Sequence, residues 1–240
     1  MHTTSTVDAA TDFIRAVATY CKREGIEWCP QLMLVGYSQG AHAVAVLQRE
    51  LESLPIQEAE ILAVASIATP LDLANVTLPW ALEGGAVTHS TYLAYIAHSY
   101  SHAYNQPLES LFTDDAARLV KQLFDGLHAG DDIMRQLPPT PLPMFRDSWV
   151  QGYRAGESSW FLDALEENEA FNWAPRAPLR LYYGEADVDV PPNDALTGAQ
   201  KMREQGGNVE VVPVGDFEHA TVVYHAVPLV QEWFGQVSRT

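Results

Sequence analysis

Leu32-Met33-Leu34-Val35-Gly36-Tyr37-Ser38-Gln39-Gly40 is a short apolar run that delivers a serine into a Gly-x-Ser-x-Gly turn, and from Ala41 onward the chain reads as helix. A strand that turns directly into a helix around Ser38 strains the backbone there and thrusts the hydroxyl out at the carboxyl end of the sheet. Gly36 and Gly40 lack β-carbons, which predicts a close approach of strand and helix beside the serine. The pentapeptide alone carries little. The strand before it and the helix after it make Ser38 a candidate nucleophile.

A serine hydroxyl is a poor nucleophile at neutral pH and needs a base, usually a histidine oriented by a carboxylate. Working outward, Leu179 to Tyr183 reads as a buried strand that runs into Gly184-Glu185-Ala186-Asp187-Val188-Asp189-Val190-Pro191. The next strand, Val209 to Val214, leads to Gly215-Asp216-Phe217-Glu218-His219. These loops are expected to open at the same sheet edge as the serine turn, where parallel sheets place their sites. Asp187 is preferred to Asp189 as the acid because of its offset from Gly184, and His219 is preferred to His225 as the base because 222–233 reads as a helix. His42, four residues beyond Ser38, reads as a packed helix residue rather than a second base.

With these pieces quoted, the chain resembles the α/β-hydrolase superfamily, and within it the esterase and secretory-lipase-like branch. The resemblance rests on Gly-Tyr-Ser-Gln-Gly at 36–40, on Tyr-Gly-Glu-Ala-Asp-Val-Asp-Val-Pro at 183–191, and on Glu-His at 218–219. It implies an α/β fold with a mostly parallel sheet of about four strands, the carboxyl-terminal portion of the full fold, carrying a helical cap insertion. It implies Ser38 as nucleophile, Asp187 as orienting acid, His219 as base, and the backbone N–H of Gln39 as one oxyanion donor. The implied activity is hydrolysis of carboxylic esters through an acyl-enzyme, with a small-molecule ester as substrate and neither cofactor nor metal. A serine peptidase or acyltransferase using the same triad, and a truncated non-catalytic hydrolase-like module, are the alternatives.

The departure from the family lies upstream. A complete α/β-hydrolase has several strands before its elbow strand, and they supply a neighbour for that strand and a loop with the second oxyanion donor. Here 37 residues precede Ser38. They read as one amphipathic helix over Val7 to Cys21, with Ser5 and Asp8 as a capping box and Gly25 as its stop. The elbow strand is therefore expected to have a bare edge, covered by a missing N-terminal segment or by a partner chain. The missing segment is the preferred expectation. Losing one oxyanion donor typically costs roughly 10²–10³ in rate.

The organisation expected from this is a core at 1–70 with the elbow, a helical insertion at 71–178, and a core at 179–240 with the acid and histidine loops. The insertion reads as helical near 91–104, 114–127 and 157–167, with Thr113 as a cap and a proline-rich connector at 137–143. As a cap its aromatic residues could line an acyl pocket, although most are expected to pack helices. The formal charge of −17, with three lysines, argues against nucleic acid and anionic membrane partners. No run is long and apolar enough to span a membrane. No secretory signal is visible; lost upstream sequence would be needed for a secreted or periplasmic location. Cys21 and Cys29 are placed either to staple helix end to strand start or to remain free thiols. His98 and His102 have a metal-compatible spacing but no third ligand in phase, so they read as ordinary helix surface.

Overall fold

The computed structural model describes residues 1–239. In chain order the elements are α1 (Thr3–Glu24), β1 (Gln31–Tyr37), α2 (Gln39–Ser53) and β2 (Glu60–Ile67). Six helices follow: α3 (Leu78–Glu83), α4 (Thr88–Ala103), α5 (Asp114–Leu123), α6 (Gly130–Gln136), α7 (Asp147–Arg154) and α8 (Trp160–Glu167). The chain then returns to the sheet with β3 (Leu179–Gly184), α9 (Pro192–Glu204), β4 (Val209–Gly215) and α10 (His219–Val237). Two compact units result: a sheet unit, made of residues 3–72 and the segment from Ala170 onward, and a helical unit, Leu73–Glu169.

The sheet unit holds four parallel strands in the order β1-β2-β3-β4. Parallel neighbours need crossovers, and helices supply them for β1–β2 and β3–β4. Val7 and Ile14 of α1, Ala45, Val46, Leu47 and Leu51 of α2, and Ala195, Ala199 and Met202 of α9 pack with Val64, Leu179 and Leu181 in one apolar cluster. On the other side of β2, Ala63, Ala65 and Ile67 meet Val222, Ala226, Val230 and Trp233 of α10. The two clusters follow from the period of two along a strand.

β1 is an edge strand, paired among the described residues with β2 alone. Its side chains alternate: Leu32 and Leu34 pack on the first cluster, while Val35 is 51% exposed and Met33 is exposed as well. The alternation follows the period of two along a strand, with one face set on the first cluster.

Several local expectations need correction. α1 begins at Thr3, so Ser5 lies inside its first turn rather than ahead of it. It does end just before Gly25, which takes φ 68° while the N–H of Ile26 reaches back to the Cys21 carbonyl at 2.8 Å, a glycine-terminated C-cap. Cys21 and Cys29 are both free. α10 starts at His219 rather than near 222, so His219 opens a helix instead of lying in a loop.

Within the sheet unit, the segments that flank the helical insertion are braced by α9. Asp194, fully buried on α9, accepts the N–H groups of Leu71 and Asp72 at 3.0 and 2.9 Å, and Ala170 donates its N–H to Leu71 at 3.0 Å. The helical unit has its own core around Tyr100, Leu108, Leu111, Phe112, Met144, Phe161 and Leu165. Thr113 caps α5 by accepting from Ala116 at 3.3 Å, and Ser159 caps α8 from Leu162 at 3.4 Å, which sets the start of α8 at Trp160 instead of 157. His98 and His102 meet edge to face at 4.6 Å, and burial, with His102 and Lys121 nearby, holds the His98 imidazole below its ordinary pKa. Among the aromatic residues considered for a pocket, Tyr100, Phe112, Phe145 and Phe161 are buried in packing, whereas Tyr92 and Tyr95 are exposed.

Candidate active site

The site is built on the carboxyl ends of β1, β3 and β4. Ser38 follows the last residue of β1 and precedes the first of α2, and it takes φ 54° and ψ −120°. A serine with positive φ is strained by roughly 1–3 kcal/mol and persists only where its surroundings over-determine it. Two contacts do so. The Ser38 N–H donates to Ile67 of β2 at 2.9 Å, and strand and helix meet so closely that a β-carbon on Gly36 would lie 2.1 Å from the Gly40 carbonyl oxygen. Gly36 is therefore indispensable to the turn. At Gly40 an added β-carbon would meet open space, so the expectation that both glycines are sterically required holds for the first alone.

The acid loop leaves β3 through Gly184, where a β-carbon would sit 2.1 Å from the Phe217 carbonyl oxygen. That close approach brings the loops after β3 and β4 together. Asp187 is 3% exposed. Its Oδ1 accepts the backbone N–H groups of Asp189 and Val190, both at 2.9 Å, and its Oδ2 lies 2.8 Å from His219 Nδ1. The backbone of Asp189 thus serves to orient Asp187.

His219, the first residue of α10, is 5% exposed, and its Nε2 stands 2.9 Å from Ser38 Oγ. With Asp187 on one nitrogen and a hydroxyl on the other, the consistent tautomer carries its proton on Nδ1 and leaves Nε2 as acceptor. His225 instead stacks on Phe217 with ring centroids 3.7 Å apart, and His42 is buried in α2. The residues singled out from sequence, Ser38, Asp187 and His219, meet in one continuous hydrogen-bonded chain. Gln39 is the first residue of α2, so its N–H has no intrahelical acceptor and lies at the positive end of the helix beside Ser38.

Two supporting groups have no counterpart in the sequence reading. Tyr37 donates its hydroxyl to the His219 carbonyl at 2.7 Å. Behind the elbow, buried Ser66 lies 2.8 Å from Thr69 Oγ1 and bonds the Ala41 carbonyl at 2.9 Å. The Tyr37–His219 and Ser66–Ala41 bonds have no local sequence signal, since their partners are distant along the chain. Among the described residues, Asp187, Asp189 and His219 are the group whose potential metal-ligating atoms lie within 4.8 Å of one another. His219 Nδ1 and Asp187 Oδ2 already satisfy each other there, which suits proton handling better than cation binding.

Neither a family model nor a curated protein matches the chain by sequence. Solved structures do match in shape. A provisionally assigned hydrolase from Legionella pneumophila aligns over the whole chain with a TM-score of 0.90 and 23% identity. The rice cell wall degrading esterase LipA from Xanthomonas oryzae aligns over 94% with a TM-score of 0.82 and 24% identity, and Candida antarctica lipase A over 87% with 0.67 and 17%. The chain has the α/β-hydrolase fold. It spans 65%, 62% and 49% of the lengths of those three proteins, respectively.

Proposed function

We propose that the chain is a serine hydrolase that cleaves carboxylic esters. The observation that carries this reading is the relay from Ser38 Oγ to His219 Nε2 at 2.9 Å and from His219 Nδ1 to Asp187 Oδ2 at 2.8 Å. A buried acid, an imidazole and a strained hydroxyl in that order are costly to hold together without a chemical use. The choice of ester as substrate is supported by the esterase and the lipase among the proteins of similar shape.

His219 Nε2 takes the Ser38 proton as Oγ attacks the ester carbonyl. The oxyanion that forms is met by the N–H of Gln39. Asp187 holds the imidazole in the working tautomer and stabilises the imidazolium. The tetrahedral species expels the alcohol, which leaves with the proton from His219. Water, deprotonated by the same nitrogen, then attacks acyl-Ser38; the acyl–Oγ bond breaks, Ser38 Oγ takes the proton back from His219, and the carboxylic acid is released.

The test is turnover of p-nitrophenyl esters of graded chain length by the wild type and by Ser38→Ala. Turnover is expected in the wild type and a fall of about 10⁴-fold or more in the variant. An S38A protein that retains the wild-type rate would remove Ser38 from the reaction. Parallel peptide substrates and alcohol acceptors separate the peptidase and acyltransferase alternatives.

A further inference from the structure

The relay just described fixes the imidazole through its two nitrogens, but the backbone of His219 also needs a fixed place relative to Ser38. Ser38 stands at the end of β1, and His219 begins α10, far along the chain. Tyr37 joins them. It is the residue immediately before Ser38, and its hydroxyl donates to the His219 carbonyl at 2.7 Å. Its ring lies 5.1 Å from the imidazole, centroid to centroid, inclined at 33°. A single side chain thus holds the main chain of the base and lies against its ring, while its own main chain is one peptide from the nucleophile.

We propose that Tyr37 is a positioning residue for the reaction, setting the Ser38–His219 separation from the strand side. The proposal rests on the hydrolase reading of Ser38 and His219. As the first residue of a helix, His219 offers its carbonyl to the N–H four residues on, and a second lone pair remains for the Tyr37 hydroxyl. That bond fixes the start of α10 against the end of β1. The ring adds a second effect. A cation within about 6 Å of an aromatic ring is attracted to its face, and the imidazole becomes a cation when it accepts the serine proton. The aromatic contact therefore strengthens as the reaction advances, which favours the transition state over the ground state.

The experiment compares the wild type with Tyr37→Phe, which keeps the ring, and Tyr37→Leu, which removes it. Each is measured for kcat and KM on one ester, for the rate of fluorophosphonate labelling of Ser38, and for thermal unfolding. Tyr37→Phe is expected to lower kcat and the labelling rate together by about tenfold, the effect of about one hydrogen bond, with KM within twofold and the unfolding temperature within a few degrees. Tyr37→Leu is expected to lower both rates by about 100-fold. If Ser38 labels readily in the wild type and equally fast in folded Tyr37→Phe, the positioning role is overturned and the hydrolase reading stands. If Ser38 is inert in the wild type, the hydrolase reading falls and this role falls with it.

Discussion

β1 and β2 are parallel neighbours with similarly apolar sequences, yet they live in different surroundings. β2 is flanked by β1 and β3, and residues 63–67 are buried. Among the described residues β1 has β2 alone, and along it half-buried side chains alternate with exposed ones. Burial of a strand is thus set by what lies beside it, and composition alone does not report it. The strand with the fewer neighbours is the one that carries Ser38. Its body is loosely enclosed, but its end is held from three sides, by the Ile67 carbonyl, by the Gly36–Gly40 contact and by the Tyr37–His219 bond.

This comparison predicts that substitutions at the end of β1 hurt most, those in β2 next, and those along the body of β1 least. Gly36→Ala should be the most disruptive, because the new methyl would overlap the Gly40 carbonyl and cannot be accommodated without separating strand from helix. A loss of about 3 kcal/mol or more in urea unfolding is expected, with loss of esterase activity. A folded, active Gly36→Ala protein would break the claim that the elbow is sterically fixed. In the middle of the scale, Val64→Ala empties volume in a fully buried site of β2 and should cost about 2 kcal/mol. Val35→Ala, the same change one strand over at a half-exposed site, should cost less than about 0.5 kcal/mol by the same measurement. Equal costs for the two valines would mean that the free side of β1 is covered in solution.

The elbow was legible because its signal is local: a strand, a turn and a helix within about two dozen residues, with the serine between two glycines. The loop after β3 has the same kind of local signal, and within it Asp187 is the carboxylate that lies 2.8 Å from His219 Nδ1. What escaped the sequence depends on distant partners. The start of α10 was misplaced because Glu218 provides no side-chain cap, so nothing local marks the boundary that puts His219 in the first turn. The short helices α3, α6 and α7, of six to eight residues, are too brief for a periodic pattern to emerge. Asp194 reads as an ordinary helix residue until Leu71 and Asp72, more than 120 positions earlier, are seen to bond it.

The most direct test is the site and rate of covalent labelling by a fluorophosphonate, located by peptide mass spectrometry in folded wild-type, Asp187→Asn and Asp189→Asn proteins. The account predicts one adduct, on Ser38, forming about 10⁴-fold more slowly in Asp187→Asn and at close to the wild-type rate in Asp189→Asn. An adduct on another residue, or a Ser38 that reacts equally fast with and without the Asp187 carboxylate, would contradict it.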